Sequence, residues 1–229
     1  MNSIFCGIEK LSLVDFDGYI SCTLFTSGCN YRCPFCHNSP LIKEQPSLKM
    51  EEILNYLSAR KKMLDAVVVT GGEPTLHKEL PSVIKQIKDL GYIIKLDTNG
   101  TNPKMLKELI DKKLIDYVAM DIKASSNCYS LVTGVINPFL DNIKESINIL
   151  KTSNINFEFR TTLVKEFHSL DSINEMKELV SGSKKLYLQK FVLRDTCLNQ
   201  KLHEVDLETA NTYKSILEEV VEKVILRGY

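Results

Sequence analysis

Ile20-Ser21-Cys22-Thr23-Leu24-Phe25-Thr26 is followed, with only Ser27 between, by Gly28-Cys29-Asn30-Tyr31-Arg32-Cys33-Pro34-Phe35-Cys36-His37-Asn38. The first run is apolar and β-branched and reads as a strand over Ile20–Thr26; the second is a loop that brings three thiols to that strand's C-terminal end. Thiolates so close together repel one another unless a cation or a cluster sits among them. Structural zinc takes four ligands in a closed tetrahedron, and the nearest fourth candidate, His37, directly follows Cys36 and strains to reach the same ion. A simple electron-transfer cluster normally takes four cysteines. Three cysteines without an obvious fourth leave one iron of a cubane open to a substrate or cofactor. Three unmetallated thiols are the plainer alternative.

Outward from this loop, strand-like runs recur at Ala66–Thr70, Tyr92–Asp97, Ile115–Asp121, Phe157–Val164 and Leu186–Val192. Between them apolar residues return at helical spacing: Met50, Ile53, Leu54 and Leu57, then Leu80, Val83, Ile84 and Ile87. The same spacing holds for Met105, Leu106, Leu109 and Ile110, for Leu140, Ile143, Ile147 and Leu150, and for Tyr213, Ile216, Leu217 and Val220. Ser172 with Glu175 predicts a capping box opening the helix that carries Ile173, Met176 and Val180. Such alternation predicts a parallel sheet covered by helices. Six βα units fall short of the eight of a closed barrel. The expected fold is therefore α/β, a partial (β/α)6 barrel in a single domain, with a doubly wound sheet as the alternative. Residues 1–19 are expected to form an extended N-terminal segment or hairpin, turning at Asp15-Phe16-Asp17-Gly18, and residues 20–229 the barrel.

A chain of 229 residues suits one domain, two at most, and 44% hydrophobic with 25% charged residues is globular usage that argues against a disordered or fibrous role. Lys plus Arg and Asp plus Glu number 29 each, so the broad basic footprint of a nucleic-acid binder is missing. No apolar stretch is long enough to cross a bilayer, and Met1–Lys10 lacks the pattern of a secretory signal. The expected place is the cytoplasm, where seven cysteines favour metal binding or catalysis over disulfides. Cys6, Cys22, Cys128 and Cys197 stand singly and are expected to be small buried hydrophobes.

Polar groups cluster at the ends of the later strands. Val69-Thr70-Gly71-Gly72-Glu73-Pro74 combines two glycines, which let backbone approach a ligand closely, with a carboxylate able to accept from an ammonium group. As an isolated motif it is also an ordinary turn. Leu96-Asp97-Thr98-Asn99-Gly100 and Met120-Asp121-Ile122-Lys123 follow at the next two strand ends and would line a barrel mouth or form plain turns. Arg160, inside Phe157–Thr162, needs a partner, because an unpaired buried charge is very costly. Two readings are open: a salt bridge to Glu158 or another carboxylate, and a ligand in the barrel lumen. His168 lies in the next loop, at the surface or within reach of a ligand. Gln189 in the last strand faces inward or lies at an edge.

The cysteine spacing, with an aromatic residue directly before the last cysteine, resembles the signature of the radical S-adenosylmethionine enzymes, and the resemblance extends along nearly the whole chain. It implies one 4Fe–4S cluster on Cys29, Cys33 and Cys36 with an open iron that binds S-adenosylmethionine. Phe35 and His37 would flank the cofactor, Gly71, Gly72 and Glu73 would hold its amino group, and Lys123 its carboxylate. Asp97, Thr98 and Asp121 would organise that end, around a monovalent cation in one version, with Arg160 and His168 as further contacts. Leu13–Gly18, the Cys-His-Asn ending of the loop, Phe159-Arg160-Thr161-Thr162 and Leu188-Gln189-Lys190-Phe191 look like the glycyl-radical-enzyme activases, closest to the activating proteins of anaerobic ribonucleoside-triphosphate reductase, a branch similar to pyruvate formate-lyase activase. That implies a glycyl radical enzyme as partner and a flavodoxin- or ferredoxin-type electron donor. No cysteine lies between Asn38 and Val69, so the ferredoxin-like insert of other activases is not expected. The alternatives are a radical S-adenosylmethionine enzyme acting on a small molecule, such as a 7-deazaguanine-pathway synthase, and a non-catalytic iron–sulfur or zinc protein.

Overall fold

The first strand of the motif is Ser21–Thr26, here β2, in a computed structural model that describes residues 3–229. Before it, β1 (Phe5–Ser12) runs antiparallel, with Ile8 opposite Leu24. The turn between them lies where it is expected, with Tyr19 donating to Phe16 O at 3.0 Å. After it come α1 (Met50–Arg60), β3 (Ala66–Gly71), α2 (Leu80–Asp89), β4 (Ile93–Thr98), α3 (Pro103–Asp111) and β5 (Tyr117–Asp121). Then follow α4 (Tyr129–Thr133), α5 (Leu140–Thr152), β6 (Asn156–Leu163), α6 (Leu170–Val180), β7 (Leu186–Lys190), α7 (Leu207–Glu218) and β8 (Val224–Arg227). Among the described residues the eight strands pair in chain order in one sheet, so β1 and β8 are its edges and it does not close. The six strands β2 to β7 carry the expected βα alternation. The edge strand β8 and the short helix α4 are additions to it.

By its internal contacts the chain divides into two units. One contains the chain up to Asn30 together with Pro40–Thr98 and Asn102–Val118. Its sheet pairs β2 with β3 and β3 with β4 in parallel. Ala66, Val67, Val68 and Val69 are fully buried, as expected of a parallel strand covered on both faces. Leu80, Val83, Ile84 and Ile87 form the buried stripe of α2. The other unit contains Tyr31–Ser39, Asn99–Thr101 and Ala119–Tyr229, with β6, β7 and β8 paired in parallel.

The start of α6 corrects the expected capping box. The helix begins at Leu170, and Ser169 is its cap, its Oγ accepting from Ser172 N at 3.2 Å. Ser172 is a buried residue of the first turn, so the sequence signal lies one turn too far along. Of the isolated cysteines, Cys22 and Cys197 are buried as expected, whereas Cys6 and Cys128 are only partly so. Burial pushes the Cys22 thiol up to about 12, which keeps it protonated.

Candidate active site

In the first unit, the end of β3 is laid directly on the end of β2. Gly72 N donates to Thr26 O at 3.0 Å and Glu73 N to Gly28 O at 2.8 Å. A Cβ at Gly71 would collide with the Thr26 backbone, and one at Gly72 with the Gly28 carbonyl. Gly71 also has φ +120, which side chains avoid. The two glycines are thus required for strand ends to meet just before Cys29. His77, which sequence reasoning missed, ties down the same stretch through Nε2 and Ser27 O at 2.8 Å. The carbonyl can only accept, so Nε2 carries the proton.

Glu73 is 1% exposed and well held. Its Oε1 accepts from Thr75 N at 3.0 Å, Thr75 Oγ1 at 2.5 Å and Thr98 Oγ1 at 2.7 Å. Thr98, expected at the cofactor, therefore sits on Glu73. Asp97 lies 3.8 Å from the Nζ of Lys95, itself almost fully buried. Thr75 lies two residues on, where Glu73 caps the short turn that follows it, whereas Thr98 is not recognisable from sequence as a holder of Glu73 because it comes from another strand end.

In the second unit, Asp121 is the hub of a charge cluster at the end of β5. Lys123 Nζ donates to its Oδ2 at 2.7 Å and Arg160 Nε to its Oδ1 at 3.0 Å. Arg160 thus pairs with a carboxylate, and that carboxylate is Asp121. Burial alone would raise the Asp121 carboxyl, but Lys123 and Arg160 outweigh it and hold the group down at about 2. Burial would likewise discharge Lys123, yet Asp121 and then Cys33 keep it firmly protonated. Two cations thus converge on one carboxylate, which fixes the positions of both.

His168 overturns the expectation that it lies at the surface. It is 1% exposed, and it braces the backbone of Lys123. Nε2 lies 3.0 Å from Lys123 O, and Val164 N donates to Nδ1 at 3.0 Å. A carbonyl accepts and an amide donates, so the ring is the neutral Nε2–H form. Burial lowers its basicity, in keeping with that tautomer, although the backbone bonds pull the other way. Tyr129 Oη accepts from Lys123 N at 3.1 Å, so both backbone polar groups of Lys123 are fixed.

The cysteine loop divides between the units, Cys29 in the first and Cys33 and Cys36 in the second. Cys36 N closes a turn on Cys33 O at 3.1 Å. Burial raises the Cys36 thiol, and Lys123 is the first group to oppose that rise. Lys123 Nζ also stands 5.9 Å over the Phe35 ring, which is nearly buried and leans on Phe167. His37 stacks on Phe191 and its Nε2 meets Val192 O at 2.7 Å. Among the described residues no group of three or more His, Cys, Asp and Glu side chains forms a ready-made metal site. The donor chemistry nevertheless fits a cluster: thiols in the motif's spacing, two of them electrostatically coupled to a fixed lysine cation.

The model of the Radical SAM superfamily matches residues 23–180. A Methanocaldococcus jannaschii protein named provisionally as a glycyl-radical enzyme activating enzyme is 30% identical over 235 residues, spanning 99% of this chain and 97% of its own. A Thermococcus kodakarensis protein named, also provisionally, as a GTP 3′,8-cyclase is 27% identical over 208 residues, 80% of this chain and 65% of its own. The Streptococcus suis protein SuiB, solved with S-adenosylmethionine bound, matches with a TM-score of 0.69 at 16% identity, over 88% of this chain and 48% of that one. At that identity the likeness concerns the fold.

Proposed function

The chain belongs to the radical SAM superfamily, and on that footing we propose that it is a glycyl-radical-enzyme activating enzyme. The end-to-end similarity to the M. jannaschii protein of that name carries this reading. Cys29, Cys33 and Cys36 are the proposed ligands of a 4Fe–4S cluster. Bound together, the cluster and S-adenosylmethionine supply one-electron cleavage of a sulfonium and a carbon radical able to take a hydrogen atom.

This chain's own residues bind and orient. The Asp121–Lys123–Arg160 cluster offers fixed positive charge to the cofactor's carboxylate, held by His168 and Tyr129 so that little reorganises on binding. Gly71 and Gly72 let the β3 end pack against the backbone of Thr26 and Gly28, which sets Glu73 beside the cysteine loop. Glu73, held by Thr75 and Thr98, is the proposed negative charge for the cofactor's amino group. Phe35 and His37 flank the thiols. A monovalent cation is disfavoured here, because Asp121 already faces two cations and Asp97 has Lys95 beside it.

The proposed substrate is a glycine in a partner glycyl radical enzyme, an anaerobic ribonucleoside-triphosphate reductase, with a flavodoxin- or ferredoxin-type donor and a cytoplasmic setting. Among the described residues no helix is long and apolar enough to cross a membrane. The test is anaerobic incubation of reconstituted enzyme, S-adenosylmethionine, reductant and the reductase labelled with deuterated glycine. Deuterium in 5′-deoxyadenosine and a glycyl radical signal on the partner support the proposal. The similarity to the T. kodakarensis protein favours a second reading, a small purine-like substrate; label transfer from such a compound, with none from any glycyl radical enzyme, establishes it instead.

A further inference from the structure

The segment after β7 lies along the second half of the cysteine loop, although more than 150 residues separate them in sequence. Within this unit every carbonyl from Cys33 to Phe35 is engaged. Cys33 O accepts from Cys36 N at 3.1 Å, Pro34 O from Asn199 N at 2.9 Å, and Phe35 O from the Cys197 thiol at 3.8 Å. The loop's exit is tied in the opposite sense. His37 Nε2 meets Val192 O at 2.7 Å, and Ser39 Oγ donates to Thr196 O. The segment is braced on itself, since Gln200 Nε2 donates to Cys197 O at 2.7 Å and Arg194 O at 3.1 Å. Cys197 is only 5% exposed, so its weak donor works away from competing water.

A short turn carrying two soft ligands is fixed more firmly by ties from outside it. Pro34 has no N–H to donate, and one main-chain bond closes the turn. Here the bonds from residues 192–199 fix the turn's carbonyls and its exit, which sets the directions of the flanking Cα–Cβ bonds. We infer that residues 192–199 are a template that holds the Cys33–Cys36 turn in its ligating shape before any cluster arrives, with Cys197 and Asn199 as its positioning residues. This rests on the reading of Cys33 and Cys36 as cluster ligands. It gives Cys197, a solitary thiol in the sequence, a role as donor to the loop rather than as a ligand.

Amide hydrogen exchange on the full-length, reduced, metal-free protein tests it. A Ser39→Ala, Cys197→Ala double variant loses two of the ties, which at ordinary net hydrogen-bond strengths speeds exchange at the Cys36 and Asn199 amides by about tenfold. Amides of β3 keep their rates. Cys197→Ser and Ser39→Thr retain the donors and restore protection. After anaerobic reconstitution, the double variant is expected to release iron to a chelator faster by a similar factor. Wild-type exchange rates at both amides in the double variant overturn the inference. Should that variant not fold, Ser39→Ala alone is expected to speed exchange at these amides by about fivefold, and unchanged rates there overturn it equally. If the wild-type protein takes up no iron, the ligand reading falls, while the exchange result still judges the template.

Discussion

Replacing Asp121 by Asn keeps the shape of the hub and removes its charge. Its carboxyl is held at about 2 instead of the ordinary 3.8, and the partners responsible are Lys123 at 2.7 Å and Arg160 at 3.0 Å. A displacement of that size is worth about 2 kcal/mol of interaction in the folded state. The side chains are 26%, 17% and 13% exposed, so solvent screens the cluster little. The variant also leaves two neighbouring cations without their counter-ion, and breaking a buried pair costs about 3–5 kcal/mol. At pH 7 we expect a loss of at least about 2 kcal/mol, read from urea unfolding of the metal-free protein by circular dichroism with an unchanged slope. The sign with pH follows from a depressed pKa. The carboxylate's contribution is complete above the unfolded value of 3.8 and disappears as pH falls through about 2. The gap between wild type and variant is therefore expected to shrink by about half between pH 5 and pH 3. A loss under about 0.5 kcal/mol at pH 7, or a gap that stays constant with pH, refutes the hub.

Cys33→Ala is expected to abolish cluster-dependent cleavage of S-adenosylmethionine and to lower bound iron, while Cys22→Ala retains both; iron analysis and 5′-deoxyadenosine yield on the purified variants decide. Lys123→Ala should weaken S-adenosylmethionine binding by about 2–5 kcal/mol with the cluster intact, read by titration of the reduced cluster's paramagnetic resonance signal, and an unchanged affinity removes Lys123 from the site. His168→Leu leaves the Lys123 carbonyl and Val164 N–H without partners and is expected to cost about 1–3 kcal/mol of stability. His168→Gln, whose amide can again donate to that carbonyl, should recover part of it; equal losses in the two variants speak against the brace. Gly72→Ala forces a methyl group onto the Gly28 carbonyl and is expected to lower the melting temperature even without iron, a control that separates backbone fit from cofactor loss.

Elements governed by near neighbours were readable from the chain. Strand and helix alternation, the buried stripe of α2 and the turn at Asp15–Gly18 depend on periodicity and local backbone preference, and each lies where its residues predict. The cysteine spacing and the Gly-Gly-Glu motif are local in the same sense, and they were enough to point to the family. Tertiary structure decided which partners those residues have. The Arg160 guanidinium pairs with Asp121 at the end of β5, a carboxylate far from it in sequence. His168 lies in a loop and still ends fully buried, because Tyr213 and the backbone of Val164 and Lys123 enclose it. Cys197 is solitary in sequence and meets Phe35 through space. Sequence periodicity records which residues avoid water; it does not record which buried donor meets which acceptor. That choice is made when separate strand ends and loops come together, since a buried polar group left without a partner costs more than its pairing contributes.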